Sequence, residues 1–215
     1  MSQDRQLQEA VLAQFMWEPS INAAHIGVAA HNGVVTLTGH VENYMQKHAA
    51  EKAAERVRGV KAVAQELEVR LPHFAKRNDE DIARAAVDRL AWEVSLPPEA
   101  IKVNVEKGWV TLTGEVEWQY QKESAERHIR SLFGVVAVSN ETKIKPRANA
   151  SNISADIDVA LNRAWFDPER ITVTTDGGKV KLTGSVHSPS ERWTAGSTAW
   201  GSPGATSVEN DLIIA

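Results

Sequence analysis

Apolar residues recur at two different spacings along the first seventy positions. Leu7, Val11 and Phe15 stand four apart, which places them on one face of a helix. Ile26, Val28 and Ala30, then Val35, Leu37 and Val41, alternate with polar or small residues, the mark of strands that bury one face. Asn32-Gly33 between the two runs suits the positive φ angles of a two-residue hairpin turn, so the strands should pair antiparallel. A second helix is predicted over 44–58, with Asn43 as its cap and Ala50, Ala53, Ala54 and Val57 as its apolar stripe. Gly59 ends it, and a last strand runs over 60–71. The order is α-β-β-α-β.

The same unit is written three times. Thr36-Leu37-Thr38-Gly39, Thr111-Leu112-Thr113-Gly114 and Lys181-Leu182-Thr183-Gly184 place their glycines 75 and then 70 residues apart. At fixed offsets from each stand Ile26, Ile101 and Ile171; Gly33, Gly108 and Gly178; and Gly59, Gly134 and Gly204. Ile82, Ala86 and Leu90 repeat the first helical face, as do Ile153, Ile157 and Leu161. Second helices are predicted over 119–132 and 189–200, and last strands over 135–144 and 205–214. Ser188 and Pro189 suit the start of the third repeat's second helix, whereas Trp118 in the matching place has no capping oxygen. Domain boundaries are expected at 1–72, 73–147 and 148–215. Each glycine is accounted for by backbone geometry, Gly39, Gly114 and Gly184 as structural positions within strands.

The order of elements, the motif Val35-x-Leu37-x-Gly39-x-Val41 and the closing Gly59-Val60-x-x-Val63 resemble the BON domain (bacterial OsmY and nodulation). Val110, Leu112, Gly114, Val116, Gly134, Val135 and Val138 carry the resemblance in the second repeat, and Val180, Leu182, Gly184 and Val186 in the third. The third departs at its end, where Ala205 follows Gly204, and Gly196 weakens its second helix by roughly 1 kcal/mol relative to alanine. It is expected to be the least stable copy. The resemblance implies an α+β fold of three tandem modules, each a small mixed sheet with two helices on one face. It also implies membership of a class of envelope-stress and osmotic-stress proteins that contact phospholipid, and it carries no catalytic residues.

Composition narrows the chemistry. The 215 residues include no cysteine, which excludes disulfides, thiolate metal sites and a cysteine nucleophile. A net charge of −4 offers no global attraction for nucleic acid. Over the three expected domains the charge is −1, 0 and −3. No phosphate-binding loop, dinucleotide fingerprint, H-E-x-x-H or G-x-S-x-G occurs, so neither an enzyme nor a cofactor is expected. No apolar run reaches the roughly 20 residues of a membrane span. The polar first residues lack the pattern of a secretory leader, so a cytoplasmic location is expected, with a periplasmic one after processing as the alternative.

Three surface features are candidates for binding. Basic residues gather at the joints between repeats, Lys76 and Arg77 at one and Lys143 and Lys145 at the other, where they suit an anionic surface or simply solvated linkers. Trp109 follows the second hairpin glycine, out of phase with Val110 and Leu112, and is expected in solvent, with Trp118 at an edge; lipid, partner and sheet-face packing all stay open for these two. Trp17 and Trp92, at the ends of the first helices, are expected to close the cores. His25, His31 and His40 are a third candidate, for a metal, although a dedicated site needs three or four ligands and no metal is expected. The leading expectation is therefore a non-enzymatic stress-response binding or scaffold protein at phospholipid surfaces. The alternative is a protein-interaction or self-assembly module without lipid affinity; a homo-oligomer is compatible with both.

Overall fold

Three hairpins, each followed by a helix and a returning strand, build the molecule. The computed structural model describes residues 3–146, 153–163 and 170–214. In the first repeat α1 (Gln3–Met16) precedes the hairpin of β1 (Ile26–His31) and β2 (Val34–Val41), followed by α2 (Tyr44–Glu55) and β3 (Ala62–Val69). The second repeat comprises α3 (Asp79–Ala91), β4 (Ile101–Glu106), β5 (Trp109–Val116), α4 (Gln119–Arg130), β6 (Ala137–Asn140) and β7 (Lys143–Ile144). The third has α5 (Ile153–Arg163), β8 (Ile171–Asp176), β9 (Lys179–Val186), α6 (Pro189–Trp200) and β10 (Ser207–Ile214). Contacts divide the chain into two compact units. One is Met1–Arg89, Val103–Thr111 and Arg127–Ser139, and the other is Leu90–Lys102, Leu112–Glu126 and Asn140–Ala215.

Each sheet has its hairpin's second strand in the middle: β1-β2-β3, β4-β5-β6 and β8-β9-β10. The hairpin pairs antiparallel, whereas the last strand, reached through a helical crossover, pairs parallel, so the sheets are mixed as expected. Register repeats as well: Ile26 faces Gly39 and Ile171 faces Gly184 across the hairpins, and Leu67 and Leu212 face those glycines from the other side. The inward residues Val28, Val35, Leu37 and Leu67 meet Val11 and Phe15 of α1 and Ala50, Ala53 and Ala54 of α2. In the third repeat Val173, Val180, Leu182 and Leu212 meet Ile153, Ile157 and Leu161 of α5 and Ala195 and Ala199 of α6. Both helices thus cover one face and leave the other to solvent. The small alanines of α2 and α6 let these helices lie close to the sheet.

Gly39, Gly114 and Gly184 occupy like surroundings. Their φ angles are +105°, +130° and +122°, and a Cβ on any of them would collide with the carbonyl oxygen of the residue before the hairpin, His25, Ala100 or Arg170. The hairpin turns adopt positive φ at both central residues, 50° and 88° at Asn32-Gly33 and 51° and 77° at Lys107-Gly108. A first-helix carboxylate steadies each of these two turns. Asp4 Oδ1 accepts from the Asn32 N–H at 2.8 Å, and Asp79 accepts from Lys107 and Gly108 at 2.7 and 2.8 Å. The matching position of the third repeat lies outside the described residues.

A polar bracket, again threefold, ties each second helix to its last strand. An amide on the strand donates to a helix carbonyl: Gln65 to Lys47 at 3.3 Å, Asn140 to Lys122 at 2.8 Å, Asn210 to Arg192 at 2.8 Å. The same amide's oxygen accepts from the N–H two residues on, at Leu67, Thr142 and Leu212. The helix residue replies with its cation: Lys47 Nζ to the Leu67 carbonyl, Lys122 Nζ to that of Thr142, Arg192 to that of Asn210. In the second repeat Thr142 also turns its hydroxyl onto Asn140, at 2.6 Å, and the expected strand over 135–144 is split there into β6 and β7.

Helix starts carry one surprise. Asn43 and Ser188 cap α2 and α6, accepting from the N–H groups of Gln46 and Glu191. At α4 the Gln121 N–H bonds the Trp118 carbonyl at 3.1 Å instead, and the Gln121 side chain reaches back as those of Gln46 and Glu191 do to the Glu42 and His187 N–H groups. Gln121 Oε1 accepts from the N–H groups of Glu117 and Trp118 at 2.9 and 3.1 Å, and its Nε2 donates to the Ser95 carbonyl at 2.8 Å. This is the returning half of a capping box without the usual N-cap oxygen.

Two outcomes in chemical denaturation follow. Asn140→Ala takes the acceptor from the buried Thr142 hydroxyl and should lower stability by about 1–3 kcal/mol. The Ser202 hydroxyl is buried without a partner, at the place held by Val57 and Leu132 in the other repeats. Ser202→Val should therefore raise stability, by about 1 kcal/mol. A loss of stability in that variant would contradict this reading of the third core.

Candidate functional site

Trp17 and Trp92 do not close the cores. They are 84% and 86% exposed, whereas Phe15 is 1% exposed and fills the slot assigned to an aromatic in the first repeat. A residue two places beyond Phe15 lies about 200° around a helix from it, on the opposite side. Both tryptophans also fall just past the last helical residue, Met16 and Ala91. Repetition therefore placed an indole in solvent twice. Trp165 and Phe166, either of which could hold the like place in the third repeat, lie outside the described residues.

The joint after β3 joins apolar surface to charge. Phe74 is 72% exposed and Phe133 61% exposed, and with Met45, Leu71 and Leu132 they line a groove of about 250 Å³. Lys76 beside it is exposed. Arg77 is fixed rather than free: its Nη1 donates to the carbonyls of Phe74 and Lys76 at 2.9 and 2.7 Å. Its guanidinium stands 5.5 Å above the Phe133 ring, a cation–π contact. The sequence flagged the cations of this joint and passed over its aromatics, which are far apart in the chain. Lys143 and Lys145 are exposed at the end of the second repeat's sheet, where the Lys145 N–H donates to the Val116 carbonyl.

Trp109 is 53% exposed on the uncovered face of the second sheet, as its strand phase requires, and Trp118 is half-buried. The histidines do not converge. His25 and His40 stack with ring centres 4.5 Å apart and planes within 15°, whereas His31, at the other end of β1, pairs with Asp4 at 3.5 Å. Among the described residues no group of three or more His, Cys, Asp or Glu side chains is placed to hold a metal ion. Nor, among them, is any helix long and apolar enough to cross a membrane.

On the third sheet Lys181 reaches Asp211 at 2.8 Å and Glu209 at 3.0 Å. The hydrogen bond with Asp211, then that with Glu209, holds the Lys181 ammonium above its ordinary pKa. The bond from Lys181 holds the Asp211 carboxyl below its own.

Repeated α-β-β-α-β modules with a covered and an open sheet face define a tandem-repeat protein of small α+β modules, and here they have a family. The BON domain model matches residues 3–70, 78–146 and 149–215, so the chain belongs to the BON-domain family, three modules in tandem. Over 148 residues it is 30% identical to the osmotically-inducible protein Y of Escherichia coli (strain K12), covering 66% of this chain and 73% of that one. Among solved structures, the C-terminal domain of CdsD, a structural protein of the type III secretion system of Chlamydia trachomatis, aligns over 100% of both chains. Its identity is 16% and its TM-score 0.28. The PrgH periplasmic domain aligns over 88% of this chain and 95% of that one, at 9% identity and a TM-score of 0.23. Likenesses this weak bear on neither fold nor role.

The Lys181 cluster has a pH signature. A lowered Asp211 pKa means its stabilisation is present above the unfolded carboxylate range, about 4, and is lost as pH falls through the folded value. The raised Lys181 pKa acts at the other end, its contribution fading as pH climbs past about 10.4. The Tm difference between wild type and Lys181→Met should accordingly shrink from pH 6 to pH 3. A difference independent of pH over that range would contradict the pairing.

Proposed function

We propose that this protein is a non-enzymatic osmotic-stress binding protein that meets phospholipid surfaces through its exposed aromatics and the cations beside them. Its family and its resemblance to an osmotically-inducible protein support the stress role. The observation that carries the lipid reading is the groove of Phe74 and Phe133, open to solvent and bordered by Lys76 and Arg77. Large apolar side chains gain about 1.5–3 kcal/mol each on leaving water, and a cation near an anionic surface adds about 1 kcal/mol. Trp17 and Trp92 have the amphipathic ring that favours a headgroup region. Lys143 and Lys145 would add charge of the same sign, whereas Trp118 is too enclosed to lead such contact.

A second reading, docking of a protein on the same aromatics, is favoured by Arg77 itself. Its guanidinium is already committed to backbone and to a ring, which suits a preformed interface.

Flotation with vesicles separates the two. With phosphatidylglycerol vesicles the wild-type chain should float, and binding should fall as salt rises through the range where the Debye length drops below about 10 Å. Phe74→Ala with Phe133→Ala should weaken binding at least about tenfold, and Lys76→Gln should reduce its salt dependence. No flotation with either anionic or phosphatidylcholine vesicles, alongside a defined oligomer in light scattering, would select the protein-docking reading instead.

A further inference from the structure

Beside Trp109 the open face of the second sheet carries a groove of about 410 Å³, lined by Asn104, Glu106, Lys107, Trp109, Thr111 and Val136. That volume lies in the range of small-molecule sites, about 300–1,000 Å³. Its make-up differs from the Phe74 groove. One large aromatic is surrounded by an amide, a carboxylate, an ammonium and a hydroxyl, with the acid and the base adjacent in the chain at Glu106 and Lys107. None of these four polar side chains is engaged in a hydrogen bond or ion pair within the described structure, since Lys107 bonds Asp79 through its backbone N–H alone.

We propose that this groove binds a saccharide, a chain of gluco-configured pyranose rings. Such a ring keeps its hydroxyls equatorial and its C–H bonds axial, so it offers a flat apolar face to an indole and a rim of hydroxyls to side chains. The rim needs both donors and acceptors. Asn104 and Thr111 supply both, Glu106 accepts and Lys107 donates. The hydrocarbon of a bilayer or a hydrophobic peptide would leave those groups unsatisfied on contact, at a cost for each. The opposite charges of Glu106 and Lys107 suit a neutral ligand better than an anionic headgroup.

The site is held before any ligand arrives. Glu106 and Trp109 flank the turn Lys107-Gly108, and the carboxylate of Asp79 grips both turn N–H groups. A rigid hairpin reduces the ordering cost of binding. The groove is also particular to the second repeat. In the other two, Val34 and Lys179 replace Trp109, and Ala29 and Thr174 replace Asn104. In the third repeat Lys181 takes the place of Thr111 and is tied to Glu209 and Asp211.

The test is titration calorimetry of the full chain with cellohexaose and with chitohexaose, together with intrinsic fluorescence. Saturable binding of at least one of them is expected, with Kd of about 1 mM or tighter. Trp109→Val, which installs the residue of the first repeat and so preserves the strand, should weaken it at least about tenfold. Asn104→Ala should weaken it several-fold, while Trp17→Ala leaves it unchanged. Absence of saturable binding to both sugars, or equal binding by Trp109→Val, would overturn the proposal. So would a Trp109→Val variant that loses vesicle binding while keeping sugar binding. The proposal stands apart from the lipid reading, because Phe74→Ala with Phe133→Ala tests that one without touching this groove.

Discussion

A carbonyl oxygen resting where a side chain would be is the constraint on which each module is built. The residue entering the hairpin, His25, Ala100 or Arg170, brings its C=O over the middle of the second strand, and only glycine at 39, 114 or 184 leaves the room. With φ between +105° and +130°, these positions also bend the central strand in a way that L side chains resist. The first strand can then sit close beside the second from end to end, and the two helices find one continuous apolar face to cover. The open face, where Trp109 lies, follows from the same packing.

What the cores lack in bulk, the polar brackets supply. Alanines dominate the inward face of α2 and α6, and modules of about 70 residues bury too little surface to be generous with it. The strand amides Gln65, Asn140 and Asn210 satisfy helix carbonyls and strand N–H groups together, and a helix cation closes each bracket. The third copy keeps the bracket and changes what surrounds it. Gly196 lies under the Asn210 amide, where a Cβ would come within 2.9 Å of Nδ2, and the Ser202 hydroxyl has no partner.

Backbone features were legible in the sequence because backbone geometry repeats with residue type. Alternation located the first hairpin's strands, Asn32-Gly33 announced its turn, and the repeat carried both to the other two copies. The brackets leave a trace too, a cation eight residues after each glycine and an amide twenty-six after it, but polar residues at those offsets read as solvated surface until the fold brings them together. Side-chain direction was less readable. Trp17 and Trp92 looked like core aromatics because they recur, yet recurrence does not say which way a residue past a helix end will point. Phe74 and Phe133 lie 59 positions apart, and nothing in a linear pattern joins them. The histidines failed for a similar reason, since nearness in sequence left His31 at the far end of a strand from His25 and His40.

The three faces presented to solvent differ although the scaffold is shared: aromatics with cations at one joint, an indole among uncommitted polar groups on the second sheet, a closed ion cluster on the third. A common backbone with divergent surfaces is how repeated modules come to divide labour. The shared backbone is the claim most open to direct measurement, by placing alanine at Gly39, Gly114 and Gly184 one at a time and following urea unfolding of each variant. The account predicts that all three lose at least about 2 kcal/mol, since each combines left-handed strain with a blocked carbonyl. An alanine accepted without loss at any one of them would show that the three modules are not built on the same contact.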